Sequence, residues 1–128
     1  MPTHNQVHAA LDQLTASIFS GNPVFFTNQH VPKQSAAYVK QSVYFSSSDQ
    51  FELGNTVNGR NHGIIMFQFH VPRNTGSALL NTWRQIVINS FRSKVVGGAV
   101  LQNARASANG ETETWAIEQW VVPFYFDS

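Results

Sequence analysis

The stretch His62–Ser93, HGIIMFQFHVPRNTGSALLNTWRQIVINSFRS, constrains the fold more than any other part of the chain. Within Gly63–Val71, Ile65, Phe67, Phe69 and Val71 fall two residues apart, so one face of a strand is wholly apolar. The opposite face carries Ile64, Met66, Gln68 and His70 and grows more polar along its length. This is the pattern of a central strand covered fully on one face and partly on the other. Pro72 lacks a ladder donor, and Asn74-Thr75-Gly76 is turn chemistry. The apolar period then becomes helical: Leu79, Leu80, Trp83, Ile86, Val87 and Phe91 share a stripe, with Asn81, Arg84, Gln85 and Asn89 opposite. Asn74 or Thr75 is the expected N-cap. A strand and a helix with apolar inner faces form a unit on which the rest must pack.

The flanking segments supply that packing. Over residues 5–20, Val7, Leu11, Leu14 and Ile18 mark an amphipathic helix, ended by Gly21 and Pro23. Its polar side is Gln6, Asp12, Gln13 and Ser17. Pro23–Thr27 reads as a short strand. Tyr38–Ser46 reads as a longer one, with Val39, Val43 and Phe45 on one face and Tyr38, Lys40, Ser42 and Tyr44 on the other. Ser46-Ser47-Ser48-Asp49 breaks the pattern, and Gln50–Leu53 is a further short strand candidate. Residues 54–63, GNTVNGRNHG, hold three glycines and three asparagines and read as a hairpin tip. After the second helix, Val95–Leu101 begins a strand softened by Gly97-Gly98. Asn109-Gly110 is a hairpin signal of the type I′ kind, and Glu113–Phe126 is a long closing strand. Pro123 predicts an edge or bulge there. Hairpin signals outnumber crossovers, so the expected fold is α+β, one domain over residues 1–128: a mostly antiparallel sheet with two main helices packed on one face.

A length of 128 residues suits one core, and an apolar content of 42% argues against disorder. Charged residues make up 12%, against about 25% in ordinary domains. Such a surface opposes association weakly. A net charge of +1 leaves no footprint for nucleic acid or an anionic membrane. With no cysteine, disulfides and thiolate chemistry are excluded. No apolar run is long enough to span a bilayer and no secretory pattern opens the chain, so a soluble intracellular protein is expected.

The residues offer little for chemistry. His4 and His8 are four apart, but no glutamate of an HExxH motif lies between them, and they are expected to be exposed and frayed. His62 and His70 are too far apart on one strand to share an ion. The carboxylates Asp12, Asp49, Glu52, Glu111, Glu113, Glu118 and Asp127 are scattered, and no GxSxG elbow, phosphate-binding loop or dinucleotide fingerprint occurs. No catalytic residue, metal ligand or cofactor is therefore expected, and the chain does not read as an enzyme.

One family shares the order of these features. An amphipathic helix precedes a short strand ending near Asn28. A Tyr-Val strand at Tyr38 leads to Leu53-Gly54, and a basic hairpin, Arg60 to Gly63, opens the strand ending in Val71-Pro72. Asn74–Gly76 then enters a helix closing in Asn89-Ser90-Phe91, and a final hairpin holds Trp115 and Val122-Pro123-Phe124. In this order the chain resembles the tail-terminator, or tail-completion, proteins of long-tailed bacteriophages. The resemblance implies a structural virion protein at the head-proximal end of the tail, made in the host cytoplasm. It implies a homo-oligomeric ring, usually of six copies in that family, that caps the tail tube, stops its polymerisation and meets the head–tail connector. Tube protein and connector are then the partners, with DNA only as the genome passing through the channel and no membrane. Within that reading the interface candidates are Gln50, Phe51, Leu53, Asn58, Arg60, His62, Phe124 and Phe126, with Arg60 also a candidate channel lining; Phe124 and Phe126 read equally as core. The rival readings are a neighbouring connector or tube-like protein, and a small-molecule-binding or enzymatic α+β domain.

Overall fold

The computed structural model describes residues 3–27, 32, 34, 36–50 (backbone only for 47–50), 59–73, 78–112 and 114–127. Among these residues two helices, α1 (His4–Ile18) and α2 (Ala78–Phe91), accompany seven strands. These are β1 (Val24–Phe25), β2 (Tyr38–Gln50), β3 (Gly59–Pro72), β4 (Val95–Val96), β5 (Ala99–Leu101), β6 (Arg105–Glu111) and β7 (Trp115–Asp127).

The helix α1 starts where its cap places it. The Thr3 hydroxyl accepts from the Gln6 N–H at 3.2 Å while Gln6 Oε1 accepts from the Thr3 N–H at 3.0 Å. That reciprocal box satisfies two otherwise orphaned amides and sets the first turn one residue before the expected start. Val7, Leu11 and Thr15 form its buried line, and Phe19 follows at the C-cap. On α2 the buried line is Trp83, Val87 and Phe91, four residues apart, as the helical period predicts. The proposed Asn74 or Thr75 cap lies outside the described residues.

The sheet runs β1-β2-β3-β7-β5-β4, with β6 also on β7. Every pairing is antiparallel except that of β1 with β2. The odd-numbered residues of β3 are buried from Asn61 to Val71. Both helices cover that face: Phe19 lies 6.0 Å from Phe67 and 6.4 Å from Trp83, Trp83 lies 5.5 Å from Phe69, and Phe91 lies 5.2 Å from Phe67. These rings, with Val39, Ile65 and Val122, form one continuous core. The fold is α+β, as expected.

Several local expectations fail, each for a physical reason. The serine run at 46–49 does not end β2; the pairing with β3 slips between Phe45 and Ser47 and then resumes to Gln50. A bulge absorbs the extra residue, and ladder bonds outweigh the weak strand propensity of serine. Of the strand proposed at Gln50–Leu53, Gln50 ends β2 and the remainder lies outside the described residues. Val95–Leu101 is not one strand but two, folded back at Gly97-Gly98, whose φ angles of 60° and 88° favour glycine. Asn109-Gly110 makes no turn: both residues lie within β6, opposite Glu118 and Ile117. Thr112 makes the chain reversal instead, its N–H bonding the Trp115 carbonyl and its hydroxyl accepting from the Trp115 N–H.

Pro123 sits in the middle of the sheet, not at an edge. Its position on β7 falls between the last β6 pair, Arg105 with Val121, and the first β5 pair, Leu101 with Phe124. Its carbonyl accepts from the Gln102 N–H at 2.9 Å, on the side where the partner strand changes. The missing proline donor thus falls where no strand needs it.

Candidate assembly interface

With both helices on one face, the other face of the sheet has no layer over it among the described residues. Its rows follow from the register. One row holds Tyr38, His70 and Ile117; others hold Lys40, Gln68 and Gln119, then Ser42, Met66, Val121 and Arg105, then Tyr44, Ile64 and Pro123, then His62, Tyr125 and Val100. Aliphatic and aromatic side chains predominate, and most are only half-buried.

At one end the aromatics close on each other. The Tyr38 and His70 rings stack at 4.4 Å with 6° between planes, and Trp115 meets Tyr38 edge-on at 5.4 Å. Phe25 adds a second edge contact to Tyr38 at 5.7 Å. Burial here holds the His70 pKa below its ordinary value, against the raising effect of a backbone hydrogen bond at Gln68, with the Lys40 charge adding to the depression. His70 therefore packs as a neutral ring; the expected wetter strand end is a ring cluster.

At the other end stands Arg60. It lies in β3, not at a hairpin tip, and grips Asp127 through Nε to Oδ1 at 2.9 Å and Nη2 to Oδ2 at 3.3 Å. Its guanidinium also lies 4.1 Å above the Tyr125 ring. These donors hold the Asp127 carboxyl below the usual carboxylate range. His62 is tilted against Tyr125 at 6.4 Å. The structure thus brings Arg60 and His62 together on the open face.

Phe124 and Phe126 point the other way. Each is 1% exposed and belongs to the core, so of their two possible roles they fill the packing one. Phe45 meets them edge-on at 5.8 and 6.1 Å, and His4 closes over Phe45 at 4.5 Å and Phe126 at 5.2 Å. His4 is exposed, as expected, but not frayed: it lies in the first turn of α1 and sets its ring against this end of the core. Gln50 contributes backbone to the edge of β2 opposite Gly59, while Phe51, Leu53 and Asn58 lie outside the described residues.

Sequence reading missed two polar arrangements. Glu118, 7% exposed on the helix-covered face, accepts both from Arg84 Nε at 2.5 Å and from a second Arg84 nitrogen, and also from the Trp120 indole. The Arg84 hydrogen bonds hold its pKa down despite burial. The partners are 34 residues apart, so no local pattern announces them. Beneath α1, the fully buried Gln41 donates towards the Thr15 hydroxyl at 3.5 Å. Asp12, expected to face water, is half-buried beside it and next to His8, and burial raises its pKa. Among the described residues no group of three or more His, Cys, Asp or Glu side chains is arranged to hold a metal, and no helix is long and apolar enough to cross a membrane.

Among the described residues the large apolar side chains that stand out as exposed are Tyr44, at 50%, and Val95, at 68%. Tyr44 is on β2, whose outer side β1 pairs at Val39 and Lys40, and Val95 is on β4, the strand at the opposite end of the sheet.

No family model matches the chain, and no curated protein matches it. Among solved structures 22 chains match, and one of them, 11% identical in sequence, covers 97% of this chain and 95% of its own at a TM-score of 0.77. What that likeness establishes is the architecture: a two-helix, one-sided sheet of this kind is a fold found in solved proteins.

Proposed function

We propose that this chain is a ring-forming structural subunit of the tail-terminator type, capping the tail tube of a long-tailed bacteriophage and joining it to the head connector. The observation that carries the reading is the one-sided sheet. Both helices lie on one face, and the other presents Tyr38, Ile64, Met66, Ile117 and Trp115 without a covering layer among the described residues. A subunit completed by its neighbours leaves such a surface, since contiguous apolar area mostly marks contact sites. The low charge and the order of elements along the whole chain support the same assignment. The mechanism is steric: one face of the ring matches the tube end, and the other does not reproduce it, so no further tube protein adds. Arg60 and His62, at one end of the open face, are the residues we place nearest the channel or the neighbouring ring.

Disrupting the gene in its phage and imaging the tails tests this. Overlong, headless tails of variable length are expected. Tails of normal length that fail to join heads would assign a connector role instead, and normal infectious particles would overturn the virion reading.

A further inference from the structure

Tyr44 and Val95, the conspicuously exposed apolar side chains among the described residues, lie on β2 and on the far terminal strand β4 of one sheet, at nearly one level. Val95 pairs with Val100, Val100 with Tyr125, Tyr125 with His62, and His62 with Ser47, so the Val95 row crosses β2 just beyond Tyr44. Tyr44 pairs with Ile64, two β3 residues from His62, an offset of about 7 Å along the strands. Both side chains belong to rows of the open face.

The backbone agrees. Between β4 and β2 lie four antiparallel steps, so β4 runs in the same direction as β2. β2 already accepts a parallel neighbour: β1 pairs at Val39 and Lys40, and the Thr27 hydroxyl takes the Val43 N–H at 3.0 Å. Beyond Val43 the outer edge of β2, to Gln50, has no ladder partner among the described residues. On the far flank β4 is paired on one side alone among the described residues.

We infer that the Val95 edge of one copy seats against the Tyr44 edge of the next, β4 continuing on β2 the parallel cover that β1 begins. The contact joins two different patches and is heterologous, which is the kind that closes a ring when the rotation allows. It rests on the ring reading above and specifies which surfaces close it.

The absence of native cysteine makes the test clean. Tyr44→Cys and Val95→Cys variants are prepared singly, mixed and oxidised, with a short bis-maleimide as a second linker. Covalent dimers are expected in the mixture and in neither variant alone. In parallel, Val95→Asp, at an exposed site that leaves the core untouched, is expected to shift the light-scattering mass from the assembly to the monomer with an unchanged circular dichroism spectrum. Cross-linking within a single variant would reveal a two-fold contact and overturn the inference. A wild-type assembly that survives Val95→Asp and yields no mixed cross-link would overturn it too, leaving the ring reading intact. A wild-type chain that is monomeric at tens of micromolar would remove both.

Discussion

Gly63 lies directly under the ring of Phe124. A Cβ at this position would stand 2.5 Å from Phe124 Cζ and 2.5 Å from the Tyr44 carbonyl oxygen. The two residues are register partners across β3 and β7, so the tip of the phenyl ring occupies the space that a side chain would need. Gly63→Ala is therefore expected to destabilise the fold by about 1–3 kcal/mol through overpacking. Combined with Phe124→Leu, the loss should be smaller than the sum of the two single effects, as residues in contact couple. Chemical denaturation of the four-member cycle measures this; strict additivity would show that the backbone gives way instead.

Trp83 joins α2 to the sheet through Phe69 and to α1 through Phe19. It is 1% exposed, so Trp83→Ala leaves a large cavity and is expected to cost about 3–5 kcal/mol. A thermal melt shifted by only a degree or two would mean that the helix does not pack as described.

Glu118→Ala should cost about 1.5–3 kcal/mol, the range for hydrogen bonds to a charged group. The Arg84 side chain is 33% exposed and can turn to water, which keeps the loss below that of a sealed ion pair. A variant as stable as wild type in denaturant titration would show that the pair contributes nothing net.

His70 and Glu118 give the stability an acid limb with two separate windows. The folded-state pKa of His70 is lowered, so the unfolded chain binds the proton more readily, and stability falls as pH drops below about 6.5. Glu118, also lowered, adds its own loss only below about 4.5, as pH falls towards its folded-state value. Asp12 is raised and acts with the opposite sign, favouring the fold as its carboxyl protonates. His70→Phe, which keeps a ring against Tyr38, is expected to flatten the first window and leave the second. An unchanged slope between pH 6.5 and 5 would remove His70 from that account.

Where period and burial agree, the sequence carries the fold. The odd residues of β3 and the four-residue spacing of Trp83, Val87 and Phe91 are legible because each element buries one face against one neighbour. The α1 cap was also legible in principle, since Thr3 and Gln6 hold the capping-box spacing. Asn109-Gly110 misleads because pairing with β7 overrides a dipeptide preference. The Arg84–Glu118 pair and the ring contacts of His4 depend on positions distant in the chain. Of the candidate interface, Arg60 and His62 were recognised as residues but not in their setting: nothing local says that Asp127 and Tyr125 arrive beside Arg60.

The seam at Pro123 divides what β7 can lose from what it must keep. On one side, all seven residues of β6 are exposed, and its ladder stops at Arg105 with Val121. On the other, β5 is anchored by Ala99 and Leu101 in the core. With no proline amide to carry a bond across, opening of β6 need not spread to β5. The sheet therefore has an outer flap that opens as its own cooperative unit. Amide hydrogen exchange should register it as fast exchange over Arg105–Glu111 beside slow exchange at Phe124 and Phe126.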